Sequence, residues 1–402
     1  MRLLTINSFD CSAQSSGGVN QTTVKLTKYF TSQCGMQCYL GFFENLPAGF
    51  EPLPLFEGRI LLNRHLDKQA FADFLKTNKI DVVQVNFLKK RNLVVMPALY
   101  EVAHQCGARV IYAFHMCPGF QIHTYGSWER MLYGWLNRDN ALAETKKWVL
   151  TKTSWLWKGI ARRVLQSKYR VPYENCDKQV VLSKYYFPTY LYYAGVADSN
   201  KMTAIGNALR FNVFATEQDV CQKQKTVIVV ARFDEDTKRL SYALHAWREI
   251  EKTNQYADWK LQLVGDGRDK AFYHYLVKKW NLQRVEFTGQ QDPQEYYRRA
   301  SLFLMTSTAE GWPMVLMEAV QMGVPVVAMD SFGSLHDIIE DGYNGRIVAN
   351  NDLKAFQNAM MEIMEDEAKR TEMALHAIES SKRYEIQHIL LQWQKLFEQM
   401  KE

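Results

Sequence analysis

Two glutamates eight residues apart, Glu310 and Glu318, lie in the stretch STAEGWPMVLMEAVQMGVP at 307–325. The stretch follows an apolar, strand-like run at 302–306. Pro313 stands where a helix would begin, a first helical position at which its missing N–H is of no consequence, and Gly323 and Pro325 would end that helix. Glu310 then falls in the loop before the helix and Glu318 about one and a half turns inside it. Free backbone N–H groups over the stretch 311–314, from Gly311, Trp312 and Met314, would point out of the helix start, where a phosphate is favoured. Carboxylates suit polyols because each presents two acceptor oxygens. One on the loop and one on the helix can therefore hold sugar hydroxyls on either side of that phosphate.

A second constellation follows the apolar run at 226–231. Arg232 and Lys238 are cations at the carboxyl end of a strand, able to neutralise an anion as it departs; Arg239 is a neighbour that could be taken for Lys238. Between them, Asp234-Glu235-Asp236 spells an acidic triplet of the kind that elsewhere holds a divalent metal. It is read here as an exposed acidic turn. In the first half, Ser16-Gly17-Gly18-Val19 sits between a strand and a helix, where glycine lets backbone approach a ligand closely. His115 ends an apolar run at 109–114. Gly265-Asp266-Gly267 and Thr288-Gly289-Gln290 are further strand-end turns, and the third glycine of a dinucleotide fingerprint is absent.

The stretch from Ser307 to Pro325, with its E-x7-E spacing, resembles the nucleotide-sugar loop of glycosyltransferase family 4, a retaining family with the GT-B fold. The resemblance implies roles. Glu310 would contact the donor sugar and Glu318 the ribose hydroxyls, with Gly311, Trp312, Pro313 and Met314 at the phosphate. Arg232 and Lys238 would clamp the diphosphate in place of a metal. Gly17 and Gly18 would lie beside the donor phosphates and acceptor, and His115 against the donor sugar. The base and ribose would lie near Gly265 and Thr288. Neither a metal nor a cofactor is expected, the nucleotide-sugar being a substrate, and UDP is favoured over GDP. The family's usual description is front-face attack, in which the departing phosphate helps take the acceptor's proton. Two departures bear on sugar and acceptor rather than on reaction class. Asn20-Gln21 replace a charged pair after the Gly-Gly-Val turn, and Gly333 is followed by Ser334-Leu335-His336-Asp337 in place of a Gly-x-x-Glu turn. The resemblance is strong over 226–348 and thin before 200.

These loops need elements to carry them. Apolar runs at 226–231, 260–264, 285–288, 302–306 and 325–328 alternate with helical spacing, as at Leu240, Ala243, Leu244, Trp247 and Ile250. The first half alternates likewise, with strands expected at 2–6, 37–42, 82–85, 109–114 and 179–182. Continuous apolar strands alternating with helices indicate doubly wound parallel sheets. The expected architecture is α/β, two Rossmann-like domains facing across a cleft. Residues 1–205 would bind acceptor, 206–384 would bind the nucleotide-sugar, and a helix at 385–402 would cross back to the first domain.

The chain has 402 residues and a net charge of +6, mildly basic, with no nucleic-acid partner implied. Neither a signal peptide nor a run of about 18 apolar residues for a spanning helix is read. The seven cysteines are scattered and odd in number, which suits reduced thiols. A cytoplasmic location is expected. Residues 146–170 carry eight Lys or Arg, no acidic residue, and Trp148, Trp155 and Trp157. Two readings stand: a basic aromatic helix at the inner face of a membrane or on a lipid-linked acceptor, or a solvated helix face with the tryptophans packed on the first domain. For the whole chain the expectation is transfer of a sugar to a hydroxyl of a glycan or lipid-linked acceptor in cell-surface polysaccharide synthesis. The alternatives are a nucleotide-sugar epimerase of the same fold, or a non-catalytic binding protein.

Overall fold

The computed structural model describes residues 1–12, 18–46, 49–86, 88, 90–120 and 125–400, and at 90, 91, 157 and 158 the backbone alone. The chain forms two compact units. The first comprises Met1–Gly119, Ile160–Ala208 and Ile386–Glu402; the second comprises Phe120–Gly159 and Leu209–Glu385.

In the first unit, parallel strands β1 (Arg2–Phe9), β2 (Gln37–Glu44), β3 (Gly58–Leu61), β4 (Val82–Asn86), β5 (Arg109–Phe114), β6 (Lys178–Val181) and β7 (Met202–Ala204) form one sheet in the order 3-2-1-4-5-6-7. Leu3, Leu4 and Ile6 of β1 and Val83 and Val85 of β4 are all buried, as continuous apolar runs in a parallel sheet require. The helix Ile386–Gln399 belongs to this unit. Its Trp393 and Phe397 meet Phe30 of the helix Gly18–Cys34 edge-on, at 6.4 and 5.5 Å between ring centroids.

In the second unit, parallel strands β8 (Gln224–Val230), β9 (Lys260–Val264), β10 (Val285–Gly289), β11 (Ala300–Met305), β12 (Val326–Asp330) and β13 (Gly345–Ala349) run in the order 10-9-8-11-12-13. The helices Leu240–Glu251, Lys270–Lys279 and Leu353–Glu365 bury Trp247, Tyr273 and Phe356 in one core with Val227, Leu261 and Leu304 of the sheet. Strand order reverses between β1 and β4 in one sheet and between β8 and β11 in the other. Such reversals leave a crevice beyond the carboxyl ends of the strands, where open α/β sheets hold their ligands.

Three expectations are corrected. Residues 120–159 group with the second unit rather than with 1–205. Arg130 donates to Asp269 at 3.0 Å, Lys147 to Asp236 at 2.8 Å, and Tyr133 packs on Phe272, contacts with no sequence periodicity. The stretch 146–170 is two helices, Ala141–Lys152 and Ser154–Asn175, parted at Thr153. The triplet 234–236 is no exposed turn. Glu235 is 1% exposed, accepts from Ser241 Oγ and, at 3.0 Å, from Tyr273 Oη, while Asp234 and Asp236 both accept from Arg268. The cause is the short helix Glu235–Lys238, which turns the middle carboxylate inward.

All seven cysteines are free thiols. No described helix is long and apolar enough to cross a membrane.

Gly265 has φ +143°, and a Cβ there would lie 1.9 Å from the Ala231 carbonyl oxygen. Gly265→Ala is expected to destabilise the chain by about 2–4 kcal/mol in denaturant titration. Burial raises the Glu235 carboxyl from the ordinary 4.5 to about 7. The folded state therefore binds more protons than the unfolded state between those values, and stability from this group is lost as pH rises from 4.5 through 7. Glu235→Gln should flatten that part of a melting-temperature profile against pH; an unchanged slope would contradict the assignment.

Candidate functional site at the strand-order reversals

In the second unit, the loop after β8 and the loop after β11 flank the reversal, and they are fastened to each other. Thr308 N–H donates to Thr237 O at 2.8 Å, and Thr306 Oγ1 donates to Lys238 O at 2.8 Å. Arg239 Nε donates to Thr306 O at 2.8 Å. Arg239 is 1% exposed, takes a left-handed φ of 52° between two helices, and is otherwise bonded to Asn350 and Asn351. It is thus a positioning group, whereas Lys238 Nζ forms an ion pair with Glu310 Oε1.

The helix behind Glu310 is Met314–Gln321. Pro313 is its N-cap rather than its first residue, since its carbonyl already accepts from Leu316 and Met317 at 3.0 and 3.2 Å while its own ψ is extended, at 98°. Glu318, on this helix, is 2% exposed. Its Oε1 accepts from Arg210 Nη1 at 3.0 Å and its Oε2 from Tyr297 Oη at 3.1 Å. Burial raises its carboxyl above the usual range, opposed by the Arg210 guanidinium. Trp312 packs edge-on against Tyr384 at 5.4 Å, and its indole N–H has no acceptor among the described residues.

The neighbouring strand ends close the floor. Gly265 N–H donates to Gly289 O at 2.8 Å, and Phe233 N–H to Asp266 O at 2.8 Å. Thr288 Oγ1 lies 3.4 Å from Leu263 O. Arg232 ends the strand as expected, but its side chain is 70% exposed and pairs with Asp234 at 3.0 Å, so it does not join Lys238 and Glu310.

In the first unit, His115 follows β5. Its Nε2 lies 3.1 Å from Asn86 Oδ1, and Asn86 Nδ2 donates to Asn7 Oδ1 at 2.7 Å and Thr23 Oγ1 at 3.0 Å. That orientation makes Nε2 the protonated nitrogen and leaves Nδ1 as an acceptor. Burial lowers the imidazole to about 4, so His115 is neutral near pH 7. Gly18 opens the helix Gly18–Cys34 with open space around it. Gly17 and Ser16 lie outside the described residues. Asn20, noted for departing from the family pattern, donates to Asp10 O at 3.3 Å. Sequence reasoning missed Arg210, Tyr297 and Asn86. Only spatial pairing marks them, since Arg210 falls in the boundary stretch and Tyr297 in a helical run. Among the described residues no group of three or more His, Cys, Asp or Glu could hold a metal ion.

Residues 215–380 match the family model described as glycosyl transferases group 1. An exopolysaccharide phosphotransferase of Streptomyces coelicolor is 32% identical over 179 residues, 44% of this chain and 19% of that protein. An undecaprenol-linked-glycan α-1,4-N-acetyl-D-galactosaminyltransferase of Campylobacter jejuni is 25% identical over 236 residues, 58% of this chain and 63% of that one. The chain thus spans less than two thirds of the length of these curated relatives. The Anabaena protein HepE, solved in complex with UDP, superposes with a TM-score of 0.70 at 14% identity, covering 99% of this chain and all of that one. Residues 215–380 accordingly carry the glycosyl transferases group 1 region, in a chain whose two Rossmann-like units have the GT-B type of fold.

Proposed function

We propose that this chain is a retaining glycosyltransferase that moves a sugar from a UDP-sugar to a hydroxyl of a glycan or lipid-linked acceptor in cell-surface polysaccharide synthesis. The observation that carries the reading is the Lys238–Glu310 pair, held where the strand order reverses and one loop away from Glu318. A departing nucleoside diphosphate needs a cation at the point where charge develops, and Lys238 supplies one. Glu310 and Glu318 supply acceptors for sugar and ribose hydroxyls, and the start of the helix Met314–Gln321 supplies backbone N–H groups to the diphosphate. Arg232, exposed and paired with Asp234, is assigned as the second cation by the resemblance. Neutral His115 and the glycines Gly17 and Gly18 are assigned to the sugar and phosphates by the same resemblance. The UDP-bound state of HepE and the lipid-linked substrate in the name of the Campylobacter relative support donor and acceptor class.

The second unit also exposes Trp128, Trp135, Leu136, Leu142, Trp155 and Leu156, with Leu142 at 77% and Trp155 at 69%. Arg138, Lys146 and Lys152 are exposed in the same segment. Lys147 is spent internally on Glu144 and Asp236, and Trp148 packs on Trp128. Apolar and cationic groups together fit an anionic membrane surface, where a lipid-linked acceptor resides.

Assay of UDP release with a glycan acceptor tests the reaction. Glu310→Ala and Lys238→Ala should each lower kcat about 10²–10³-fold with the melting temperature retained; undiminished turnover removes that residue from the site. An epimer formed without acceptor, or UDP binding without release under any acceptor, would replace the proposed reaction. In vesicle co-sedimentation, anionic phospholipid should retain the chain and neutral phospholipid should not. Leu142→Ser with Trp155→Ser should weaken retention, and equal retention on both vesicles would contradict the membrane reading.

A further inference from the structure

A cavity of about 360 Å³ opens in the first unit, lined by Phe43, Glu44, Leu61, Asn63, Arg64 and Asn92. It lies beyond the carboxyl ends of β2 and β3: Phe43 and Glu44 finish β2, Leu61 finishes β3, and Asn63 and Arg64 follow it. Asn92 comes from the 3₁₀ turn Lys90–Val95 after β4. This is the edge of the sheet on which parallel α/β folds place ligands, and the volume lies in the range of small-molecule sites. The recess beside His115 is separate. It has room for about one water, roughly 10 Å³, and shares no lining residue with the larger cavity.

Asn92 is the telling group. It is 2% exposed, yet its Nδ2 has no hydrogen-bond acceptor among the described residues. A buried amide donor left unpaired is costly, and an acceptor brought to the cavity wall would relieve that cost. Around it the donors and acceptors are mixed. Arg64 is a donor, Glu44 places a carboxylate in the lining, and Asn63 accepts from His65 N–H at 2.9 Å, which leaves its Nδ2 to donate. Phe43 and Leu61 add apolar faces. One guanidinium balanced by one carboxylate disfavours a phosphate. Hydroxyls that both give and take hydrogen bonds, on a ring with an apolar face, match all of these groups.

We infer that this cavity binds one neutral pyranose ring of a glycan. The inference rests on the proposed glycosyltransferase activity and deepens it: the ring belongs to the part of the acceptor that does not react. Binding energy gathered from such remote groups positions the reacting hydroxyl. Asn92, Glu44 and Arg64 then set which acceptor is used.

The test uses the full chain saturated with UDP and ligand-observed NMR. The probes are the methyl α-glycosides of glucose, galactose and N-acetylglucosamine, with inorganic phosphate alongside. Leu61 is 57% exposed on an edge strand, so Leu61→Trp can fill the mouth without disturbing the core; Asn92→Leu removes the unpaired donor. At least one glycoside should bind with a Kd of about 1–10 mM, and each variant should weaken it about tenfold or more while UDP affinity stays the same. No glycoside binding to a chain that binds UDP, binding indifferent to both variants, or phosphate bound in place of sugar would overturn the inference. Failure to bind UDP would instead count against the proposed activity, with the glycoside result still readable.

Discussion

The second unit's site depends on a buried guanidinium. Arg239 is held by the Thr306 carbonyl and by the side chains of Asn350 and Asn351, and its face lies 4.5 Å from the Tyr242 ring centroid and 5.3 Å from that of Tyr125. Removing a charge from water costs several kcal/mol unless its donors are met, and here each nitrogen finds an acceptor. Those acceptors lie on the loops after β11 and β13, so the charge is satisfied only when these loops stand where they do. The same residue carries the left-handed turn that ends the helix Glu235–Lys238. The position of Lys238 opposite Glu310 follows from it.

Preorganisation of this kind explains the ion pairs seen at the site. Lys238 with Glu310, and Arg210 with Glu318, satisfy one another in the protein alone. Under the proposed function an anionic diphosphate competes for the cation and sugar hydroxyls compete for the carboxylates, so binding exchanges partners instead of burying unpaired charge. The first unit is built by a different means. Its reversal is filled by neutral amides and a neutral imidazole, Asn7, Asn86 and His115, which offer hydrogen bonds without charge.

Much of this was legible in the sequence where burial imposes a pattern. β5 was expected at 109–114 and occupies Arg109–Phe114, because every residue after Arg109 is buried and apolar. The E-x7-E loop was legible because Pro313 and Gly323 punctuate it. β3, β7 and β13 were missed, being short or partly exposed edge strands: β3 has no fully buried residue. The Asp234-Glu235-Asp236 triplet misled because charge in sequence says nothing of which way a short helix turns a side chain. Arg210 and Tyr297 were invisible because their importance comes from meeting Glu318 across 108 and 21 residues of chain.

The central claim is that the Lys238–Glu310 loops form a nucleoside-diphosphate site. A crystal structure of the chain soaked with UDP measures it directly. The diphosphate is expected at the start of the helix Met314–Gln321 beside Lys238, with the ribose hydroxyls on Glu318. Diphosphate density at any other place, or none at saturating UDP, would contradict the account.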